Sequence, residues 1–209
     1  MSSFPQIILA SQSAARAKLL TQLQLPFISI PSEIDEKDPN IRVFSEPPKF
    51  IQHISQKKVE TVAFNHQLEK KKCIIIGCDT IVLTQSDVVL GKPKDENEAR
   101  KMLQTLSGRI HKVLTGCTII LYPHKTIYQT VISTSVTFRV LAEDELNYYL
   151  EKGEWQNRAG GYAIQGLGAL LIKEVKGDYY NVVGLPLSWI WETLWNHYNK
   201  SLLGKPNIK

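Results

Sequence analysis

Between Cys73 and Lys94 the chain reads CIIIGCDTIVLTQSDVVLGKPK. Ile74 to Ile76 and Ile81 to Leu83 are β-formers, and a single carboxylate, Asp79, stands between the two apolar runs. The pattern predicts a strand, a short polar interruption and a second strand. A continuous apolar run of this kind suits a strand covered on both faces, the arrangement of α/β domains. A carboxylate there is costly to bury unless a cation, a metal or hydrogen-bond donors meet it. Thr80 offers a hydroxyl beside it, and Gly91-Lys92-Pro93 returns a lysine beyond the turn. Taken alone, Asp79 fits a turn cap better than a functional group; the remaining segments change that balance.

A chain of 209 residues is long enough for one substantial core, and a single domain over residues 1–200 with a polar, basic tail over 201–209 is expected. Charged residues make up 22% of the chain and hydrophobic ones 43%, as in ordinary globular proteins. The net charge of +5 fits an anionic ligand. It does not imply nucleic acid, because no basic patch interleaved with aromatics is visible. Lys70-Lys71-Lys72 is the one lysine run and suits a solvated helix end, where cations complement the dipole. Cys73, Cys78 and Cys117 lack paired zinc spacing and are odd in number, which points to reduced core thiols in a cytoplasmic protein. The N-terminal stretch has neither a signal-peptide pattern nor an apolar run long enough for a membrane span. The five histidines are dispersed without HxxxH spacing, which argues against a histidine-based metal site.

In chain order, Gln6 to Ala10 predicts a short strand, with Ser11 or Ser13 as N-cap of a helix from Ala14 to Leu23. A strand, a serine-bearing loop and a helix N-terminus hold phosphate well. Arg16 falls in the first turn, where a cation does not suit the helix itself. That mismatch hints at a ligand. Phe27 to Ile30 reads as a second strand, followed by the acidic loop Ser32-Glu33-Ile34-Asp35-Glu36, whose carboxylates suit a divalent cation or plain solvation. Pro48 to Leu68 carries helical spacing, with Phe50, Ile54, Val59, Val62 and Phe64 expected in the core and Lys58 among them. Asp95 with Glu98 resembles a capping box opening a helix that Ser107-Gly108 ends.

Runs over 109–122 and 126–139 flank Pro123-His124-Lys125 and predict an antiparallel hairpin. A short helix follows over Ala142 to Lys152. The glycine-rich segment from Ala159 to Gly168 permits close approach to a ligand, although such turns are common without one. Leu170 to Val175 predicts another strand. The last helix follows Pro186, and its tryptophans are expected in the core or at a dimer contact.

Taken together, LASQSAAR (9–16), SEIDE (32–36), GCDTIV (77–82), GKPKDENEA (91–99), LSGRIHKVLTG (106–116), AGGYAIQGLGALL (159–171) and GDYYNVVGLPL (177–187) resemble the Maf family of nucleoside triphosphate pyrophosphatases. The resemblance spans nearly the whole chain. It implies an α/β fold of the inosine-triphosphatase-like type, with a central mixed sheet flanked by helices and a cleft between two lobes. It implies hydrolysis of a nucleoside triphosphate to monophosphate and pyrophosphate with Mg²⁺ or Mn²⁺. A homodimer is the expected assembly. Matching the family's functional positions are Ser11, Arg16, Glu36, Lys58, Asp79, Lys92 and Gln165. Asp79 corresponds to the proton acceptor; by their chemistry Arg16, Lys58 and Lys92, helped by Ser11, suit a phosphate clamp, and Glu36 with Asp79 suits a cation, which leaves Asp79 as base or as metal ligand.

The chemistry accounts for these residue types. Attack on the α-phosphorus needs an oriented water, neutralised charge and a stabilised leaving group. The chain departs from the family pattern at the base pocket. Members acting on dTTP and UTP carry arginine, threonine and glutamine at three selectivity positions, which here hold Ala15, Thr80 and Gln165. Two of the three point to a pyrimidine, since a glutamine amide pairs with the imide edge of uracil or thymine. The alternatives are a pyrophosphatase for 7-methyl-GTP or another non-standard nucleotide, and a non-catalytic nucleotide-binding regulator of cell division.

Overall fold

The computed structural model describes residues 4–34 and 46–203. Its elements are β1 (Gln6–Leu9), α1 (Ala14–Leu20), β2 (Phe27–Ser29), α2 (Pro47–Asn65), β3 (Cys73–Leu83), β4 (Val89–Leu90), α3 (Glu96–Leu106), β5 (Ile110–Tyr122), β6 (Thr126–Phe138), α4 (Glu143–Glu151), β7 (Ile172–Lys176), α5 (Tyr179–Val183) and α6 (Leu187–Leu203). The strands form one mixed sheet in the order β2-β1-β3-β5-β6-β7, with β4 paired to β3. β1 runs parallel to both of its neighbours, while β3, β5, β6 and β7 run antiparallel in turn. This is the mixed α/β architecture expected from the sequence. No helix among the described residues is long and apolar enough to cross a membrane.

The sheet's two faces are covered differently. On one face, Ile74, Ile76 and Cys78 of β3 pack with Leu19 and Leu20 of α1 and with Leu187, Ile190 and Leu194 of α6. Further along the same face, Val82 and Val113 join a second cluster with α3, α4 and Trp155. Side chains alternate across a strand, so Thr80 falls between those two covers. On the opposite face α2 runs the length of β3, with Val59 and Val62 over Ile75 and with Ile51 over Ile81. Ile74, Ile75 and Ile76 are fully buried, as a doubly covered strand requires.

Several expectations are corrected. β3 is one unbroken strand of 11 residues with Asp79 inside it, not two strands about a break. Its carboxylate is met by Lys58, so the backbone has no need to turn away. Phe64 is 73% exposed, because the buried stripe of α2 follows Ile51, Ile54, Lys58, Val59 and Val62, and Phe64 lies off it. The tryptophans of α6 divide: Trp189 is half-buried against the core as expected, whereas Trp191 is at the surface. Leu187, Ile190 and Leu194 form its buried face, while Trp191 lies exposed and stacks at 5.6 Å on Trp195. α5, a five-residue helix capped by Asp178, precedes α6 and has no counterpart among the elements expected from the sequence. α6 itself continues to Leu203, past the expected start of the tail at Ser201, and residues 204–209 lie outside the described residues. All three cysteines are buried free thiols.

Candidate active site

Ser11, Ala15, Arg16, Lys58, Asp79, Thr80, Lys92 and Gln165 all line one cleft of about 750 Å³. These eight come from five separated segments (Ser11, Ala15 and Arg16 share one, Asp79 and Thr80 another), and the fold brings all of them to one place. Glu36, the remaining candidate, lies outside the described residues.

The centre of the cleft is an ion pair. Lys58 Nζ donates to Asp79 Oδ1 at 2.5 Å, and both side chains are largely buried. Two glycines that the sequence reading passed over make this contact possible. A Cβ on Gly77 would stand 2.7 Å from Ser55 O and from Val59 Cγ2. One on Gly116, which pairs with Asp79 across β3 and β5, would stand 2.4 Å from Ile51 O. Their bare backbones let α2 settle onto the sheet, and Lys58 arrives over Asp79 as a result. Ser55 locks the register: its hydroxyl donates to Gln52 O at 2.7 Å and therefore accepts from Thr118 at 2.7 Å. Glycine inside a strand is a recognised sign of close backbone approach, so this signal was available in the sequence.

Facing the ion pair is the segment before and within α1. Ser13, rather than Ser11, caps α1, accepting from Arg16 N at 3.3 Å. Ser11 Oγ accepts from Ser13 N at 3.1 Å and from Arg16 Nη1 at 3.4 Å, and its own proton has no acceptor among the described residues. The Arg16 guanidinium is held further by Gly184 O at 2.7 Å from Nε and by Thr80 Oγ1 at 3.0 Å from Nη2. The helix-dipole mismatch at Arg16 thus has a structural answer, because its side chain turns toward β3 and α5.

Lys92 is exposed on the rim, in the connection from β4 to α3. That connection is tied to the glycine-rich segment, since Gly160 N donates to Gly91 O at 2.9 Å. The glycines of this segment serve packing. Gly160, at φ +69°, fits against Val82, and a Cβ on Gly168 would stand 1.9 Å from Ala163 O. Gln165 leads into a 3₁₀ turn over Gly166–Leu171, whose Leu167 and Gly168 N–H groups donate to the Glu154 carboxylate at 3.1 and 3.2 Å. Glu154 was not singled out from the sequence, where an isolated glutamate carries no local signature.

Tyr162 lines the cleft from below and shares a hydrogen bond of 2.7 Å with His111. His111 is buried against Tyr162 and Phe138, and that burial lowers its imidazole to about 4. It belongs to the frame of the site as a neutral group.

Among the described residues, no three His, Cys, Asp or Glu side chains converge as a metal cluster. Mg²⁺ is commonly held by one or two carboxylates together with substrate phosphates. Asp79, whose Oδ1 accepts from Lys58, fits that pattern.

Residues 6–197 match the sequence profile of the Maf-like protein family. The chain is 45% identical to the dTTP/UTP pyrophosphatase of Halalkalibacterium halodurans, over 87% of this chain and 90% of that protein. It is 41% identical to the one of Clostridioides difficile strain 630, covering 94% and 97%, and 39% identical to the one of Thermoanaerobacter sp. strain X514, covering 95% and 100%. Among solved structures, the Staphylococcus aureus Ham1 protein superposes with a TM-score of 0.45 at 12% identity, over 64% of this chain and 71% of that one.

Proposed function

The chain belongs to the Maf family, and on that premise we propose that it is a nucleoside triphosphate pyrophosphatase acting on dTTP, UTP or modified forms of them. The observation that carries this reading is the Lys58–Asp79 pair in a cleft shared with Ser11, Arg16 and Lys92. Positive groups on three sides suit a triphosphate, and one carboxylate among them suits a proton acceptor.

In this mechanism Lys58, Arg16 and Lys92 bind and neutralise the phosphate chain. Ser11 donates its remaining proton to a phosphate oxygen. Asp79 orients a water in line with the α-phosphorus and takes its proton on Oδ2, with Lys58 fixing the carboxylate through Oδ1. A bond forms from the water oxygen to the α-phosphorus as the bridging oxygen leaves with pyrophosphate. A divalent cation, Mg²⁺ or Mn²⁺, would be held by Asp79 with Glu36 and the phosphates, and would supply further neutralisation of the triphosphate charge. Gln165 supplies an amide for the imide edge of a pyrimidine, while Ala15 leaves its side of the base pocket without a cation. The proposal includes a cytoplasmic homodimer, with the exposed Trp191 face of α6 as the surface to examine by light scattering.

The test is a panel of dTTP, UTP, CTP, GTP and 7-methyl-GTP with Mn²⁺, reading pyrophosphate and monophosphate. Preference for dTTP and UTP is expected. Preference for 7-methyl-GTP would overturn the substrate assignment, and absence of turnover on any of them would overturn the enzyme.

A further inference from the structure

The segment GDYYNVVGLP forms α5 and its cap, and nothing in the reaction described above uses α5 itself. Its hydrogen bonds nevertheless end on Arg16. Asn181 is fully buried, and its Nδ2 donates to Val113 O and to Thr134 Oγ1, each at 3.0 Å, which pins α5 to β5 and β6. From there two lines run to the same guanidinium. Gly184 O, at the C-terminal cap of α5, accepts from Arg16 Nε at 2.7 Å. Asn181 O accepts from Thr115 Oγ1 at 3.0 Å, and Thr115 lies 2.9 Å from Thr80 Oγ1, which accepts from Arg16 Nη2 at 3.0 Å.

The direction of that chain follows from counting protons. A hydroxyl has one donor, and Thr115 gives its own to a carbonyl that can only accept. Thr80 must then donate to Thr115, and one of its lone pairs accepts from Arg16. Thr115 pairs with Thr80 across β3 and β5 and is itself fully buried, so the relay is built into the sheet.

We propose that Asn181 and Thr115 are positioning residues of the triphosphate site: α5, pinned by Asn181, aims Arg16 through Thr115 and Thr80. This rests on the pyrophosphatase reading for its kinetic arm. Arg16 is thereby oriented before substrate arrives, with the rest of its N–H groups left for phosphate.

The experiment compares Thr80→Val, Thr80→Ser, Thr115→Val and Thr115→Ser with the parent, on dTTP, UTP, CTP and GTP. It also measures solvent exchange of the Arg16 Nε–H by NMR. Loss of a hydrogen bond to a charged group in Thr80→Val should lower kcat/KM about tenfold or more, and loss of the neutral bond in Thr115→Val about threefold to tenfold. The Thr115→Val loss should be equal for all four nucleotides, both serine variants should restore the parent rate, and the Nε–H should exchange faster in the valine variants only. A base-selective change in Thr115→Val overturns the proposal. So do parent rates with parent exchange in Thr115→Val. If the parent protein hydrolyses none of the nucleotides, the pyrophosphatase reading fails, while the exchange measurement still decides the relay. Should Thr115→Val not fold, Thr80→Val, on a partly exposed side chain, decides by the same two readouts.

Discussion

Gly116→Ala tests whether the depth at which α2 sits sets the geometry of the ion pair. The added Cβ would lie 2.4 Å from Ile51 O, 2.7 Å from Ile51 C and 3.0 Å from Gln52 N, all of them helix backbone. No side-chain rotation relieves such contacts. Ordinary contact begins near 3.4 Å, so α2 must withdraw by about 1 Å. Ile51 is two turns from Lys58 on the same helix, and a rigid shift would carry Lys58 Nζ from 2.5 Å to about 3.5 Å from Asp79 Oδ1, beyond hydrogen-bond range. A misplacement of about 1 Å at a catalytic group costs up to about 10²-fold in rate. The overpacking itself should cost about 1–3 kcal/mol, or roughly 3–10 °C in melting temperature for a chain of this size. The assay pairs kcat from pyrophosphate release with a thermal melt. Gly91→Ala serves as the control, since a Cβ there meets nothing within 4 Å. A Gly116→Ala protein with the parent kcat would refute the reasoning, whatever its melting temperature.

Three further outcomes follow from the structure. Asp79→Asn removes the proton acceptor and the charge that Lys58 faces, and kcat should fall by at least about 10²-fold, measured by pyrophosphate release. His111 is held neutral, with its folded value near 4 against an ordinary 6.5. The unfolded chain therefore binds its proton first as pH falls, and stability should drop between those two values. The drop is about 2 kcal/mol at pH 5 relative to pH 7, read by urea unfolding, and His111→Gln should flatten that slope. Glu154→Ala strips the acceptor from Leu167 N and Gly168 N and should raise KM for UTP severalfold by loosening the turn after Gln165, with a smaller effect on kcat.

The elements that were legible in the sequence are those specified locally. The hairpin of β5 and β6, the capped start of α3 at Asp95 and the strand-loop-helix around Ser13 each carry their signals within a few residues. Asp79 was misread as a break because the group that makes its burial tolerable, Lys58, lies 21 residues earlier on a helix. Phe64 was assigned to the core by hydrophobicity, and Trp191 to the core or a dimer contact, whereas helical phase assigns Ile51, Ile54, Val62, Leu187, Ile190 and Leu194 to the core. At the site, the residues of the cleft were found through motif resemblance. Those that support them were not: Gly77 and Gly116 act by lacking a side chain, and Thr115 and Asn181 act through partners distant in sequence.

Hydrolysis of UTP in ¹⁸O-labelled water, followed by mass analysis of both products, tests the central claim most directly. Attack on the α-phosphorus with Asp79 accepting the water's proton predicts the label in UMP and unlabelled pyrophosphate, with turnover suppressed in Asp79→Asn. Label in pyrophosphate, release of UDP with orthophosphate, or parent turnover in Asp79→Asn would contradict it.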